Sequence, residues 1–309
     1  MEYKGGQTFE QLIAWFGKIC VAIYAFISGY GLQKACSGRY TLPFRAAIKQ
    51  DYFYVIRHYF LFICKVWLVF FIIMPIGVAF HNLRFDNIWD FILCMFGFKP
   101  EKISGQWWYI RNYTAWLFLF PLGNALFRKN CKKENLYKII VLFILGITVT
   151  IMYITKTTRI FVFNVATIAF IEGFLVARYF IFERLDANLK KYKTVVGIGC
   201  LCLTIIIRML CSTHASYSLI DIILITFFMY GCCKLGEILP KAARAMEWLG
   251  EYSLYMWLIH PFFCFTYFQK LVVWSKISTI IYLCTFFLSL GSAILLTFLE
   301  GKILKTHRN

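Results

Sequence analysis

Long apolar runs separated by short polar connections dominate the pattern of this 309-residue chain. Each run has about the length of a helix that crosses a hydrocarbon core, roughly 20 residues. The runs lack the alternation of apolar and polar residues that is typical of barrel strands. The pattern therefore predicts an all-α fold, a polytopic transmembrane helical bundle with about nine membrane-spanning helices. The predicted spans are residues 12–32, 58–80, 108–127, 136–155, 160–181, 194–211, 217–236, 252–270 and 277–299.

The connections between these spans are short and polar, as in residues 128–135. No Pro-rich or Ser-rich linker interrupts the sequence, so we expect a single membrane-embedded domain over residues 1–309. The segment 87–98 is apolar but too short to cross a bilayer. It is therefore interpreted as an interfacial or re-entrant helix.

Composition excludes a soluble globular protein. Hydrophobic residues make up 61% of the chain and charged residues 16%, whereas soluble domains are about 45–50% apolar and about 25% charged. The 12 cysteines fall mostly within apolar spans, where they behave as small hydrophobic residues. Their spacing suits neither a zinc site nor a disulfide framework, so we expect no metal and no permanently bound cofactor.

The net charge of +18 reflects membrane topology. The Lys and Arg residues concentrate in alternate loops, which by the positive-inside rule lie in the cytoplasm. This assignment predicts an outward N-terminus and a cytoplasmic C-terminus. The expected partner of the basic loops is the lipid bilayer with its anionic headgroups, and we expect no nucleic acid. Several cations, however, lie within predicted spans, among them Lys18, Lys65, Arg111 and Arg178.

Polar residues inside spans are the candidates for function, because a bilayer penalises them unless they face a cavity or a partner. The first cluster joins Ser28, Gly29 and Gly31 to Arg57 and His58 at the next span. The small residues permit close approach of a helix or a ligand. Arg57 is either a snorkelling anchor or a clamp for the phosphates of an acyl donor. His58 and Ser28 are the other candidates for donor binding.

A second cluster lies at the outer end of the third span. Trp107 and Tyr109 are typical of an interfacial aromatic belt, and they are equally suited to stacking against a sugar. Arg111 and Asn112 follow about one turn inside the membrane edge, where only a polar cavity would satisfy them. We therefore treat all four residues as candidates for an acceptor site.

The third cluster comprises Arg159, Asn164, Glu172 and Arg178. Glu172 falls in the middle of a span and needs a partner, either Arg111 or a polar group of another helix. It is the fifth candidate for the acceptor site.

His260 lies inside a predicted span directly before Pro261. A proline within a helix frees the carbonyl one turn upstream, and the imidazole or a neighbouring helix can bind that carbonyl. A structural role at a kink is the favoured interpretation, and a catalytic role for His260 is the weaker one.

These motifs, in this order, resemble the acyltransferase family 3 membrane proteins over essentially the whole chain. The resemblance rests on Phe26-Ile27-Ser28-Gly29-Tyr30-Gly31-Leu32, a basic loop leading to Arg57, Gly105-Gln106-Trp107-Trp108-Tyr109-Ile110 with Pro121, Glu172-Gly173-Phe174, Tyr252-Ser253-Leu254-Tyr255 and Ile259-His260-Pro261. Arg57 matches the second arginine of a pair in the family, and Tyr54 stands at the first.

The resemblance implies a bacterial inner-membrane O-acyltransferase that modifies a cell-surface glycan. The implied co-substrate is acetyl-coenzyme A, and the implied acceptor is a surface glycan or a lipid-linked sugar. The family's first helix carries a histidine that acts in acyl transfer as a general base or an acyl relay. The resemblance places that histidine upstream of Met1, so the catalytic residue is unknown, and the chain is either a fragment, a mis-started gene product or an inactive relative.

A transporter or flippase of lipid-linked sugars is the alternative. Such a protein also has scattered charges within its spans and aromatic residues facing outward. Inverted repeats or interrupted helices in matching halves are expected of many transporters, and the sequence has no clear sign of either. The acyltransferase interpretation is therefore favoured.

Overall fold

A computed structural model describes residues 13, 16–39, 44–80, 85–126, 165–211 and 217–306. These residues form helices joined by turns, and no strand occurs among them. Three helical stretches in the described part are long and apolar enough to cross a membrane: Arg45–Ala79, Ile181–Leu210 and Ser278–Lys302. The predicted class, a transmembrane helical bundle, is confirmed, while the number of nine spans stays a prediction.

The helices are numbered here in chain order over the described residues. They are α1 (Cys20–Cys36), α2 (Phe44–Ala79), α3 (Ile88–Met95), α4 (Trp108–Leu126), α5 (Val165–Arg178), α6 (Ile181–Leu189), α7 (Lys193–Leu210), α8 (Tyr217–Ile238), α9 (Pro240–Cys264), α10 (Gln269–Val273) and α11 (Ser278–Thr306). The predicted span at 136–155 lies outside the described residues.

Two helices begin well before the predicted spans. Helix α2 starts at Phe44 instead of residue 58, because residues 44–57 are amphipathic: Ala47 and Val55 are buried, whereas Lys49 is exposed. Helix α9 starts at Pro240 instead of residue 252, since a proline is well accommodated at the first helical position. Both extensions contain polar residues, so they lie outside the apolar runs from which the spans were predicted.

Residues 87–98 form the short helix that their length predicted. Asn87 caps α3 by accepting a hydrogen bond from the backbone N–H of Asp90 at 2.8 Å. The helix ends at Met95, and Gly97 follows with a φ of 74°, a conformation that glycine adopts without strain. The segment therefore does not cross the membrane as a helix.

The chain divides into two compact units. The first unit comprises Met1–Tyr52 and Leu119–Pro240, and the second comprises Phe53–Phe118 and Lys241–Asn309. The expectation of one domain over residues 1–309 stays a prediction.

In the first unit, α1 and α5 cross with their backbones in close contact. A Cβ atom on Gly29 would overlap the carbonyl oxygen of Phe170, and a Cβ atom on Gly173 would overlap the carbonyl oxygen of Phe26. Each helix thus requires a glycine at this crossing. The predicted role of small residues is met by Gly29, whereas Gly31 is exposed with open space around it.

In the second unit, a buried aromatic contact joins the start of α4 to α9. The Trp107 indole N–H donates to the carbonyl oxygen of Leu258 at 3.0 Å, and its ring meets Phe262 edge to face at 5.9 Å. Trp107 has an exposed fraction of 0%. Its ring is therefore part of the core of this unit.

Candidate functional site

Arg57 and His58 are neighbours on α2, and the helix turns them in different directions. Arg57 is exposed, whereas His58 is half-buried within the second unit. The His58 Nε2 atom lies 2.9 Å from the hydroxyl oxygen of Tyr113, and its ring stacks on Tyr54 at 5.9 Å. A hydrogen-bonded imidazole held between two tyrosines can accept or donate a proton at Nε2.

A second polar group lies on the same face of α2, seven residues after His58. The Lys65 ammonium lies 3.5 Å from a carboxylate oxygen of Glu300, and the Tyr255 hydroxyl donates to the other oxygen at 3.0 Å. The three residues come from α2, α9 and α11. Lys65 was recognised as a cation within a span, but its partners were missed because sequence position does not reveal which helices meet.

Tyr109 lies among aromatic rings in the second unit. Its ring is stacked with Tyr113 at 6.3 Å, and it meets Trp116 and Trp257 edge to face. Trp107 is fully buried, as described above, so its contact with an acceptor would require the unit to open. A role for Tyr109 and Trp107 in acceptor binding stays a prediction.

Arg111 and Asn112 differ in how the protein satisfies them. The Arg111 guanidinium forms an ion pair with Glu101 at 2.7 Å. Asn112 has an exposed fraction of 1%, and neither amide atom has a hydrogen-bond partner in the described part of the chain. Because an unpaired buried amide is costly, Asn112 remains the strongest candidate in this cluster for a ligand contact.

Glu172 is paired with another helix of the first unit. The Thr226 hydroxyl of α8 donates to the Glu172 carboxylate at 2.8 Å. Of the two predicted partners, a polar group on another helix is therefore confirmed. The other predicted partner, Arg111, belongs to the second unit, where its guanidinium pairs with Glu101.

His260 occupies the structural position that its sequence indicated. Its Nδ1 atom lies 2.8 Å from the carbonyl oxygen of Trp257, the residue one turn before Pro261. A carbonyl oxygen only accepts, so Nδ1 carries the proton. The imidazole thus satisfies the carbonyl that Pro261 leaves without a helical donor, which confirms the predicted contact at the kink.

Ser28 also makes a local contact. Its hydroxyl donates to the carbonyl oxygen of Tyr24, one turn earlier on α1, at 2.7 Å. Arg159 and Asn164, which belong to the same sequence cluster as Glu172, lie outside the described residues.

Two buried polar pairs of the first unit were missed in the sequence. Arg208 and Asp221 have exposed fractions of 1% and 3%, and the guanidinium Nε lies 3.1 Å from the carboxylate. The Asn124 side-chain amide donates to Asp51 at 2.7 Å. Arg208 and Asp221 lie in two different predicted spans, and the sequence does not reveal which spans are neighbours.

The candidates are thus divided between the two units. Ser28 and Glu172 belong to the first unit, and the second unit contains Arg57, His58, Trp107, Tyr109, Arg111, Asn112 and His260. The second unit therefore holds a histidine bonded to Tyr113 and an unsatisfied Asn112 amide, and these groups are equipped for proton transfer and ligand binding.

An acidic residue organises the connection between α3 and α4. The Asp90 carboxylate accepts hydrogen bonds from Lys102 at 2.6 Å and Lys99 at 2.8 Å, and Lys102 also pairs with Asp86. The two ammonium groups hold the pKa of Asp90 well below its usual value, with Lys102 the larger cause. Asp86, followed by Asp90, raises the pKa of Lys102.

Comparison with known protein families identifies the chain. The profile of acyltransferase family 3, described as "Acyltransferase domain", matches residues 3–298. Searches of curated proteins and of solved structures found no match. Because the profile covers nearly the full length, and because the chain forms the expected bundle of apolar helices, this protein belongs to acyltransferase family 3.

Proposed function

We propose that the protein is a membrane O-acyltransferase that acetylates a cell-surface glycan. The observation that carries the proposal is the family match over residues 3–298. Acetyl-coenzyme A is the proposed donor, and a surface glycan or a lipid-linked sugar is the proposed acceptor. The proposed location is the bacterial inner membrane, with the N-terminus outward and the C-terminus in the cytoplasm.

The reaction joins an acceptor hydroxyl to the acetyl carbonyl. The hydroxyl oxygen forms the new C–O bond, the thioester C–S bond breaks, and the thiolate of coenzyme A leaves. A general base takes the hydroxyl proton, and the thiolate then acquires a proton from solvent. The residue that serves as the base is unassigned.

Arg57 is the proposed contact for the donor. Its exposed guanidinium lies on α2 directly before the half-buried His58. A guanidinium binds phosphate oxygens through two parallel hydrogen bonds, which suits the phosphates of coenzyme A. Exposure leaves the group available to a ligand, whereas Arg111 is already engaged by Glu101.

For the acceptor, we propose the region of Tyr109, Arg111 and Asn112. The buried Asn112 amide offers one donor group and one acceptor group to a sugar hydroxyl. The aromatic ring of Tyr109 is suited to packing against a sugar ring. Trp107 supports this region from the core, through its hydrogen bond to Leu258.

The test measures O-acetyl groups on surface glycan in a strain that lacks the gene and is complemented with variants. Arg57→Ala is expected to reduce acetylation at least tenfold, because charge-assisted phosphate contacts are worth about 1.5–3 kcal/mol each. Lys49→Ala, which removes another exposed cation of α2, is the matched control and should acetylate normally. Undiminished acetylation by Arg57→Ala at normal protein level contradicts the donor role.

The same strain separates the two functional classes. Loss of an acyltransferase leaves surface glycan present without its acetyl groups. Loss of a flippase for lipid-linked sugars abolishes the surface glycan itself. A deletion strain without surface glycan would therefore favour the flippase and reject the proposal.

A further inference from the structure

An apolar groove lies between the short helix α10 and the transmembrane helix α11 of the second unit. Its volume is about 410 Å³, within the range of ligand pockets, roughly 300–1,000 Å³. Its lining residues are Leu271, Trp274, Ile280, Leu283, Cys284, Phe287 and Leu288. The α11 residues recur every three or four positions, so they form one continuous stripe along the helix.

Helix α10 is anchored by a buried residue. Val272, in the middle of α10, has an exposed fraction of 0%. Its neighbours Leu271 and Trp274 remain exposed, with Trp274 at 68%. The anchored helix thus holds two large apolar side chains on one side of the stripe of α11.

Two lysines are close in the chain to residues that line the groove. Lys270 directly precedes Leu271, and Lys276 lies in the turn between Trp274 and the start of α11. Both are exposed, and neither has a carboxylate partner in the part of the chain that the structure describes. Their charges therefore remain available at the rim of an apolar surface.

The depth of this end follows from α11. The stretch Ser278–Lys302 is long and apolar enough to cross a membrane, so the turn before Ser278 lies near a membrane surface. The exposed ring of Trp274 fits that level, where aromatic residues are enriched. Lys270 and Lys276 then lie at the level of the lipid headgroups, and the groove extends from them toward the hydrocarbon core.

We propose that this groove is a binding site for an anionic phospholipid. An acyl chain lies along the apolar stripe of α11, and the phosphate group lies at the rim with Lys270 and Lys276. An apolar groove in a bilayer is filled by some lipid in any case, so the two lysines give the site its selectivity. This inference does not depend on the proposed acyl transfer.

The charge of the rim sets the expected size of the preference. A lysine near an anionic membrane surface contributes about a fivefold preference, which corresponds to about 1 kcal/mol. Two lysines together give a preference of roughly 25-fold for phosphatidylglycerol over phosphatidylcholine. A groove that binds lipid through its apolar surface alone would give a ratio of phosphatidylglycerol to phosphatidylcholine of about one.

The experiment uses the full chain in phosphatidylcholine vesicles that contain a photoreactive acyl-chain analogue of either lipid. After illumination, mass spectrometry quantifies adducts on residues 271–288. The double variant Lys270→Gln and Lys276→Gln should bring the ratio of the two lipids close to one. The double variant Lys190→Gln and Lys241→Gln, which removes two other exposed lysines, should keep the wild-type ratio.

A second pair of variants tests the groove itself. Cys284→Trp fills the groove and should reduce phosphatidylglycerol adducts at least fivefold. Cys202→Trp, at another exposed cysteine, should leave them unchanged. A wild-type ratio below two, or a ratio unaffected by the Lys270 and Lys276 changes, overturns the proposal in favour of unselective boundary lipid. Disulfide-linked dimers through Cys284 in place of adducts would overturn it in favour of a second copy.

Discussion

The crossing of α1 and α5 gives the sharpest prediction about stability. Replacing Gly29 with Ala adds a single methyl group where the structure has no room for it. The new Cβ atom would overlap the carbonyl oxygen of Phe170, and it would also lie 3.1 Å from the backbone nitrogen of Phe174. Because these are backbone atoms, no side-chain rotation relieves the overlap, and the two helices must move apart.

The expected magnitude follows from two opposing terms. Inserting a methyl group into a well-packed site costs about 1–3 kcal/mol, and an overlap with backbone favours the upper end of that range. Replacing glycine with alanine in a helix contributes about 1 kcal/mol in the favourable direction. Gly29→Ala is therefore expected to be less stable by about 2 kcal/mol.

Gly31→Ala is the matched control on the same helix. A Cβ atom there meets nothing within 4 Å, so only the favourable helix term remains. The two variants should differ by about 3 kcal/mol, with opposite signs relative to the wild type. Gly173→Ala should resemble Gly29→Ala, since its Cβ atom overlaps the carbonyl oxygen of Phe26.

The assay is thermal unfolding of the purified chain in one detergent, with all variants measured side by side. The double variant Gly29→Ala and Gly173→Ala should lose less stability than the sum of the single losses, because both act at one crossing. Equal unfolding temperatures for Gly29→Ala and Gly31→Ala would refute the close approach of α1 and α5.

Changes at three further residues give distinct outcomes. Trp107→Phe keeps most of the ring but loses the hydrogen bond to Leu258, so thermal unfolding should reveal a loss of about 1 kcal/mol, against about 3–5 kcal/mol for Trp107→Ala. Glu172→Gln can still accept the hydrogen bond from Thr226 and should unfold near the wild-type temperature. Glu172→Leu cannot accept it and should unfold at a lower temperature. The lowered pKa of Asp90 stabilises the fold at pH values above the unfolded pKa of about 3.9, and this stabilisation is lost as the pH falls through the lower folded pKa. Asp90→Asn should therefore lose less stability in acid than the wild type does. An identical dependence of stability on pH in the two proteins would contradict the role of Lys102.

Much of the fold follows from apolar runs and local chemistry alone. The helices Trp108–Leu126 and Tyr217–Ile238 begin at the predicted residues and end within two residues of the predicted ends. The contact of His260 with the carbonyl of Trp257 was also predictable, because the proline and the imidazole that compensates for it are adjacent in sequence. Interactions within one turn of a helix depend on spacing, and spacing is visible in the sequence.

Contacts between helices follow a different logic. Glu172 required a partner, but the choice of Thr226 depends on α5 and α8 lying side by side. Lys65 likewise pairs with Glu300, which lies more than 200 residues later in the chain. The energetic need for a partner is a property of one residue in a bilayer, whereas the identity of the partner is a property of the packing.

The same distinction explains which candidate residues keep a functional interpretation. Trp107, Glu172 and His260 each satisfy a need of the fold: a buried contact, a hydrogen bond between helices and a carbonyl freed by proline. These contacts give each residue a structural role, while a role of Trp107 and Glu172 in acceptor binding stays a prediction. Arg57 and Asn112 are different, because the first is exposed and the second is buried with an unsatisfied amide. The buried Asn112 amide is costly without a partner, and the exposed Arg57 guanidinium is accessible, so a ligand is the partner that we propose for both.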